Sequence, residues 1–294
     1  MSQKNKLIVI TGATGSGKSA VALDIARRLG CHIISADSRQ IFRGIPIGTA
    51  APSADELDAV PHHFVATLNL DAQYSAAQYE ADVMALLPRL WEQSPVQVIC
   101  GGSMMYVDAV VRGIDELPTI SPEVRAEVMR LYEGHGLDAV RAELRCLDPA
   151  GAERVDPANP RRNIHALEIC IEAGVPASTL LTGQAKKRPF DIEMYHLPME
   201  RADLFDRINR RVDAMVGAGL IEEARSVYHL RHLNSLNTVG YKELFAAFDG
   251  TMPMPVAIER IKKNTRVYAK KQLTWLRRYP ALSDARSLYK ILKL

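Results

Sequence analysis

The sequence predicts an α/β fold: a P-loop NTPase-like, doubly wound parallel sheet with a helical insertion domain and a C-terminal helical region. Three observations predict it. A glycine-rich loop closes one apolar strand and opens a helix; two further short apolar strands end at Asp37 and at the pair Gly101-Gly102; and a long central stretch has no strand pattern and is punctuated by prolines and glycines. With 294 residues, 47% hydrophobic and 24% charged, the chain buries a full core, which excludes disorder as its main state.

Taken in order, residues 7–11 read as a buried strand, and apolar residues at helical spacing over 19–29 run to a stop at Gly30. Residues 32–36 form a second strand and 96–100 a third. In such a sheet ligands lie at the carboxyl ends of the strands, so Asp37 and Gly101 face the same crevice as the glycine loop. From 114 to 188 amphipathic helical patterns are interrupted by Pro118, Pro122, Gly134, Gly136, Pro149, Pro157, Pro160 and Pro176. The expected division is therefore a core of residues 1–113 with 189–294 and an insertion over 114–188. Residues 192–197 give one more strand, and helices are expected from about 201 to the end.

The first six residues are polar and the apolar run after them is too short for a leader or a membrane span, so a cytoplasmic protein with no membrane partner is expected. Cys31, Cys100, Cys146 and Cys170 lie far apart with no CxxC pair, which suits reduced structural thiols rather than a zinc site or a disulfide framework. Net charge is only +3, but residues 256–294 hold eleven Lys or Arg against two acids, a balance of +9 that leaves −6 on the rest. A basic arm on an acidic body points to a polyanionic partner.

Gly12, Ala13, Thr14, Gly15, Ser16, Gly17, Lys18 and Ser19 match GxxxxGK[ST] between a strand and a helix. Glycines let backbone N–H groups converge on phosphate oxygens at the positive end of a helix. Lys18 adds a point charge, and the Ser19 hydroxyl is a ligand for Mg²⁺ shared with phosphate. NTPases normally set an Asp at the end of a second strand to hold that metal, whereas residues 96–100 run into Cys100-Gly101-Gly102, and no NKxD guanine reader is present. Asp37 is the only acid so placed. These residues leave two enzyme readings open, a small-molecule or nucleotide kinase and a diphosphate-displacing transferase.

Nine segments then separate the readings: GATGSGKS at Gly12, SADSRQIFRGIPIGTAAPS at Ser35, PHHF at Pro61, YSAAQYEAD at Tyr74, GGSMMYVDAVVRG at Gly101, RRNIHALEI at Arg161, RINRRVDAMVGAGLIEEA at Arg207, VGYKEL at Val239 and IKKNTRVYAKKQLTWLRR at Ile261. In this order they resemble the tRNA dimethylallyltransferase (isopentenyltransferase) family over nearly the whole chain. The departures are Ala13 and Gly15 where the family usually has Pro and Ala, Ser19 for Thr, Ser103 and Met104 in its GGT-G segment, and His165 for an Arg.

The resemblance implies transfer of a dimethylallyl group from dimethylallyl diphosphate to the amino group of the adenine 3′-adjacent to the anticodon. The partners are then the tRNA anticodon stem-loop and the isoprenoid diphosphate, the cofactor is Mg²⁺, and a monomer is expected. The loop through Ser19 would hold the diphosphate with the metal, Arg207 or Arg211 would add a guanidinium fork, and Asp37 would be general base, or else a helix cap or outer-shell metal partner. Ser38, Arg39 and Gln40 would touch flanking nucleotides. Ser103, Arg125, Arg161, Arg162 and Asn163 would meet the RNA, the last three within the insertion's arginine segment.

On the final helix, Ile258, Ile261, Thr265, Tyr268, Gln272 and Trp275 share one stripe read as packing, while Lys263, Arg266, Lys270 and Arg277 share an edge that suits a phosphate backbone. His62 and His63 read as a polar turn, and residues 74–82 as either a flap or an ordinary helix. Rival readings are the kinase, a nucleotide-switched RNA-binding protein, and prenylation of free adenine nucleotides.

Overall fold

The structure, a computed structural model, describes residues 4–280 and 282–292. The first half of the chain runs β1 (Lys6–Thr11), α1 (Lys18–Leu29), β2 (Ile33–Ser35), α2 (Pro46–Thr49), α3 (Ala54–Ala59), β3 (His62–His63), α4 (Ala76–Trp91), β4 (Val96–Gly101) and α5 (Met104–Arg112). Four helices follow, α6 (Pro122–Leu147), α7 (Pro149–Arg154), α8 (Pro160–Ala173) and α9 (Ala177–Leu180). The chain then returns through β5 (Asp191–His196), α10 (Arg201–Gly217), α11 (Leu220–Ser226), α12 (Tyr241–Phe248), α13 (Met254–Leu276), β6 (Ser283–Asp284) and α14 (Leu288–Ile291).

All strands pair in parallel in the order β3-β2-β4-β1-β5-β6. β1 is apolar after Lys6 because both faces of a parallel sheet are covered. Leu7 and Val9 pack with Ile34, Ile99, Tyr79, Val110 and Trp275, whereas Ile8 and Ile10 pack on the other face with Ile25, Ile33, Val98 and Leu288. That alternation is the two-residue period of a strand. The chain leaves β1 for one flank and later fills the gap with β4, so the topological switch lies between β1 and β4, where open sheets bind ligands.

Register places Thr11 opposite Gly101 and Ser35 opposite Cys100. The three loops that leave these ends therefore start side by side. Backbones meet closely there, for a Cβ on Gly101 would lie 2.1 Å from the Ala36 carbonyl oxygen.

Two edge strands depart from the sequence pattern. His62 and His63, which read as a polar turn, pair with Ile33 and Ile34 as β3, and Ser283 and Asp284, which read as part of a helical tail, pair with Tyr195 and His196 as β6. Each has only two residues, too few to carry a period. The His63 ring stacks on His32, and burial together with the His32 charge pushes its pKa down to about 4. Of the segment at 74–82, residues 76–82 open α4, a packed helix started by a Ser75–Gln78 capping box, with Tyr79, Glu80 and Val83 buried, which is the ordinary-helix alternative.

The chain separates into two compact units, Met1–Val111 with Lys187–Leu294, and Arg112–Lys186. The second has its own core of Val128, Val140, Leu144, Leu167 and Ile169. Gly136, at φ 77°, breaks α6 into two helical pieces. In the first unit Ile41 and Ile45, from the segment between β2 and α2, form a further core with Val212, Leu220, Tyr241 and Ile261 of the helices that follow β5. All four cysteines are free thiols. Among the described residues no helix is long and apolar enough to cross a membrane.

Candidate active site

The loop between β1 and α1 takes its shape from glycines in left-handed conformation. Gly15 and Gly17 sit at φ 82° and 93°, a region other residues seldom adopt. Any side chain on Gly17 would also meet Arg207, whose Nη2 lies 3.1 Å from where a Cβ would stand. Among the described residues no side chain caps the start of α1, so its first amides point at the crevice. Ser16 is buried at 3% exposure, and its hydroxyl has no hydrogen-bond partner among the described residues.

Lys18 lies in the same recess. Burial lowers its pKa from the ordinary lysine value and Arg211 acts in the same direction, while Cys100 and Asp37 oppose them. Burial likewise lowers the Arg211 pKa against the pull of Asp37. Burial pushes the Cys100 thiol up to about 11, the Ser19 hydroxyl hydrogen-bonds it, and so it stays a neutral thiol at neutral pH. The end of β4 thus offers no anionic ligand.

Asp37 does two things at once. Its Oδ1 accepts the backbone N–H groups of Arg39 at 2.9 Å and Gln40 at 3.3 Å, the local cap expected of an aspartate at a turn. Its Oδ2 makes no hydrogen bond among the described residues and faces the charges of Lys18, Arg39 and Arg211. Capping and proton transfer are therefore not exclusive roles here.

Two cavities meet at this carboxylate. One, of about 510 Å³, is lined by the loop together with Cys100, Gly102, Arg207, Arg210 and Gln272. The other, of about 570 Å³, is lined by Ser38, Arg39, Ser103, Lys242, Asn264 and Lys271. Thr14, Asp37, Thr49, Arg211 and Tyr268 line both.

Several expected contact residues are already engaged within the protein. Ser103, 8% exposed, accepts the Ser38 N–H at 2.8 Å and donates to the Ser38 hydroxyl. Arg39 donates to the carbonyls of Asn234 and Ser235, and Gln40 to those of Thr49 and Ala50. On α13, Arg266 bonds Asn209 and Lys270 lies over the Phe205 ring, leaving Lys263 exposed without a partner among the described residues.

In the second unit Arg125 pairs with Glu168 at 3.6 Å, and Arg161 and Arg162 are exposed. Asn163 is a correction. At 1% exposure its amide donates to the carbonyls of Asp156 and Asn159, so it fastens the start of α8 and has no surface to offer RNA.

Two residues of the α13 stripe belong to the site rather than to packing. Tyr268 is 36% exposed and lines both cavities, and Gln272 bonds the glycine loop. A polar Gln on an apolar stripe is the signal that the sequence carries for this.

The IPP transferase family model matches residues 40–279, a span that begins just after Asp37. The chain is 52% identical over 272 residues to tRNA dimethylallyltransferase 1 of Bacteroides fragilis (strain YCH46), covering 92% of this chain and 90% of that protein. It is 49% identical over 279 residues to tRNA dimethylallyltransferase 2 of Parabacteroides distasonis, covering 95% and 93%. Among solved structures it is similar to the tRNA isopentenylpyrophosphate transferase of Bacillus halodurans, with TM-score 0.70, 36% identity and 96% and 90% of the two chains covered. It is also similar to a eukaryotic dimethylallyltransferase acting on tRNA, with TM-score 0.82, 26% identity and 92% and 70% covered.

Proposed function

The chain belongs to the IPP transferase family, and on that footing we propose that it transfers a dimethylallyl group from dimethylallyl diphosphate to the exocyclic amino group of the adenine 3′-adjacent to the anticodon in tRNA, releasing diphosphate. The observation that carries the site assignment is the meeting of two cavities at Asp37, one walled by the phosphate loop and the other by polar and basic side chains.

In this reading the diphosphate lies in the first cavity, against the loop amides, Lys18, Arg207 and Arg211. The nucleobase, turned out of its stack, enters through the second. The allylic carbon–oxygen bond breaks as the amino nitrogen bonds to that carbon; the bonding pair leaves on the diphosphate, and the nitrogen's proton passes to Asp37 Oδ2. Burial of Lys18 and Arg211 strengthens their action on the charge that develops on the leaving group, because little water screens it. The unpartnered Ser16 hydroxyl is a further donor under the loop.

Among the described residues no group of three or more His, Cys, Asp or Glu side chains is arranged to hold a metal. The chain's own ligand for Mg²⁺ would be the exposed Ser19 hydroxyl, the rest being phosphate oxygens and water, which is how this ion usually binds. When bound it would neutralise charge on the departing diphosphate. Arg161, Arg162, Lys263 and Lys271 supply exposed cations for RNA phosphates. We place the activity in the cytoplasm and in a single copy of the chain.

The test is incubation of purified protein with labelled dimethylallyl diphosphate and Mg²⁺, offering unmodified tRNA or AMP as acceptor, with a parallel assay for ATP turnover. Label is expected in tRNA alone. Label in AMP, or passage of the ATP γ-phosphate to an acceptor, would overturn the reading.

A further inference from the structure

The long helix α13 touches the phosphate loop through one side chain. Gln272, only 2% exposed, accepts the Thr14 N–H through Oε1 at 2.8 Å and donates through Nε2 to the Gly102 carbonyl at 2.8 Å. These two groups belong to the loops that leave β1 and β4, the strands flanking the topological switch. A side-chain amide offers one donor end and one acceptor end on a single rigid plane; an ionised carboxylate only accepts, and an ammonium only donates. Gly102 is fitted to it, since a Cβ there would stand 2.3 Å from Gln272 Nε2 and 3.4 Å from Lys18 Nζ.

We infer that Gln272 is a positioning residue for the diphosphate: it fixes the loop against the end of β4 and holds the phosphate-facing nest in shape before substrate arrives. Because it takes the Thr14 N–H, the amides left to meet phosphate begin at Gly15. Tyr268, one turn earlier on α13, lines both cavities, so the same helix that sets the loop also bounds the space where donor and acceptor meet. Preorganisation of this kind lowers the cost of ordering the loop on binding. The identity of the diphosphate as an isoprenoid one rests on the proposed function; the positioning of the loop does not.

Gln272→Met keeps the volume and removes both hydrogen bonds. It is expected to raise KM for dimethylallyl diphosphate about tenfold, the ratio that loss of two hydrogen bonds of modest net strength produces, while KM for tRNA changes by less than about twofold. Gln272→Glu keeps an acceptor for Thr14 but sets a negative charge beside the loop, so its KM for the diphosphate should rise further than that of the Met variant. A packing role alone would not rank the two variants this way.

The second measurement uses hydrogen exchange of the Thr14 amide, read by NMR with and without inorganic diphosphate. In the wild-type protein without ligand this amide should already be protected, and in Gln272→Met it should exchange faster while β1 keeps its protection. Exchange at the rate of an exposed amide in the wild type, or equal rises in both KM values, would overturn the inference. An absence of prenylated tRNA with the wild type would instead count against the proposed function, because protection of Thr14 does not depend on which diphosphate is used.

Discussion

At the scale of single residues the site is a set of charges gathered around one recess, and Asp37 is the one whose two oxygens have separable jobs. Asp37→Asn keeps an acceptor for the Arg39 and Gln40 N–H groups and removes the base. Single-turnover prenylation should fall by about 10²–10⁴-fold, the usual share of a positioned general base, with tRNA affinity nearly unchanged. Asp37→Ala loses the turn as well and should weaken tRNA binding in addition; an Asn variant at full rate would dismiss the base. Lys18 gives a pH signature. Burial lowers its pKa below 10.5, so between the lowered value and 10.5 the folded protein holds fewer protons at this site than the unfolded chain, and this residue's contribution to stability grows as pH rises through that window. Diphosphate binding has the opposite trend, since it needs the ammonium. Calorimetry in two buffers should show affinity falling, and proton uptake on binding growing, as pH climbs through the lowered pKa. Lys18→Arg should abolish both effects.

At the scale of elements, what was legible in the sequence is what chemistry fixes locally. The strand, loop and helix around residues 6–29 could be read directly because a continuous apolar run, glycines and a lysine fall within one short stretch. Gln272 shows in the sequence only as a polar break in an apolar stripe, because its role lies in partners 258 and 170 residues away, Thr14 and Gly102. β3 and β6 stayed hidden for a different reason, since two-residue strands exist only through the neighbours they pair with. α13 shows the same limit on its polar side. Its cations look equivalent in sequence, yet Arg266 and Lys270 already have partners whereas Lys263 and Lys271 have none among the described residues. Replacing Lys263 and Lys271 by alanine should therefore lower the slope of log K against log salt for tRNA by roughly 0.7–0.9 for each phosphate that is no longer neutralised. Arg266→Ala and Lys270→Ala should change it less; slopes equal to that of the unsubstituted protein for all four variants, measured by filter binding across a salt series, would show that this edge does not follow RNA.

At the scale of the whole molecule, the insertion is a unit with its own core and a closed neck: the Lys186 N–H donates to the Arg112 carbonyl at 2.7 Å, so the chain enters and leaves it at adjacent points. Nothing in the diphosphate recess comes from this unit, because the residues lining both cavities all belong to Met1–Val111 or Lys187–Leu294. Replacement of residues 114–185 by a short Gly/Ser linker spans that neck without stretching it, and a unit with its own core should survive such an excision. The shortened protein is expected to unfold cooperatively and to bind inorganic diphosphate with an affinity within about threefold of the full chain, since a self-contained unit keeps its own site. Its tRNA affinity should drop at least about tenfold if Arg161 and Arg162 reach phosphates, because every cation removed from the RNA backbone takes with it a share of the counterion release that drives binding. Full tRNA affinity in the shortened protein would confine RNA recognition to the sheet-bearing unit, and loss of diphosphate binding would mean that the recess needs the insertion to keep its shape.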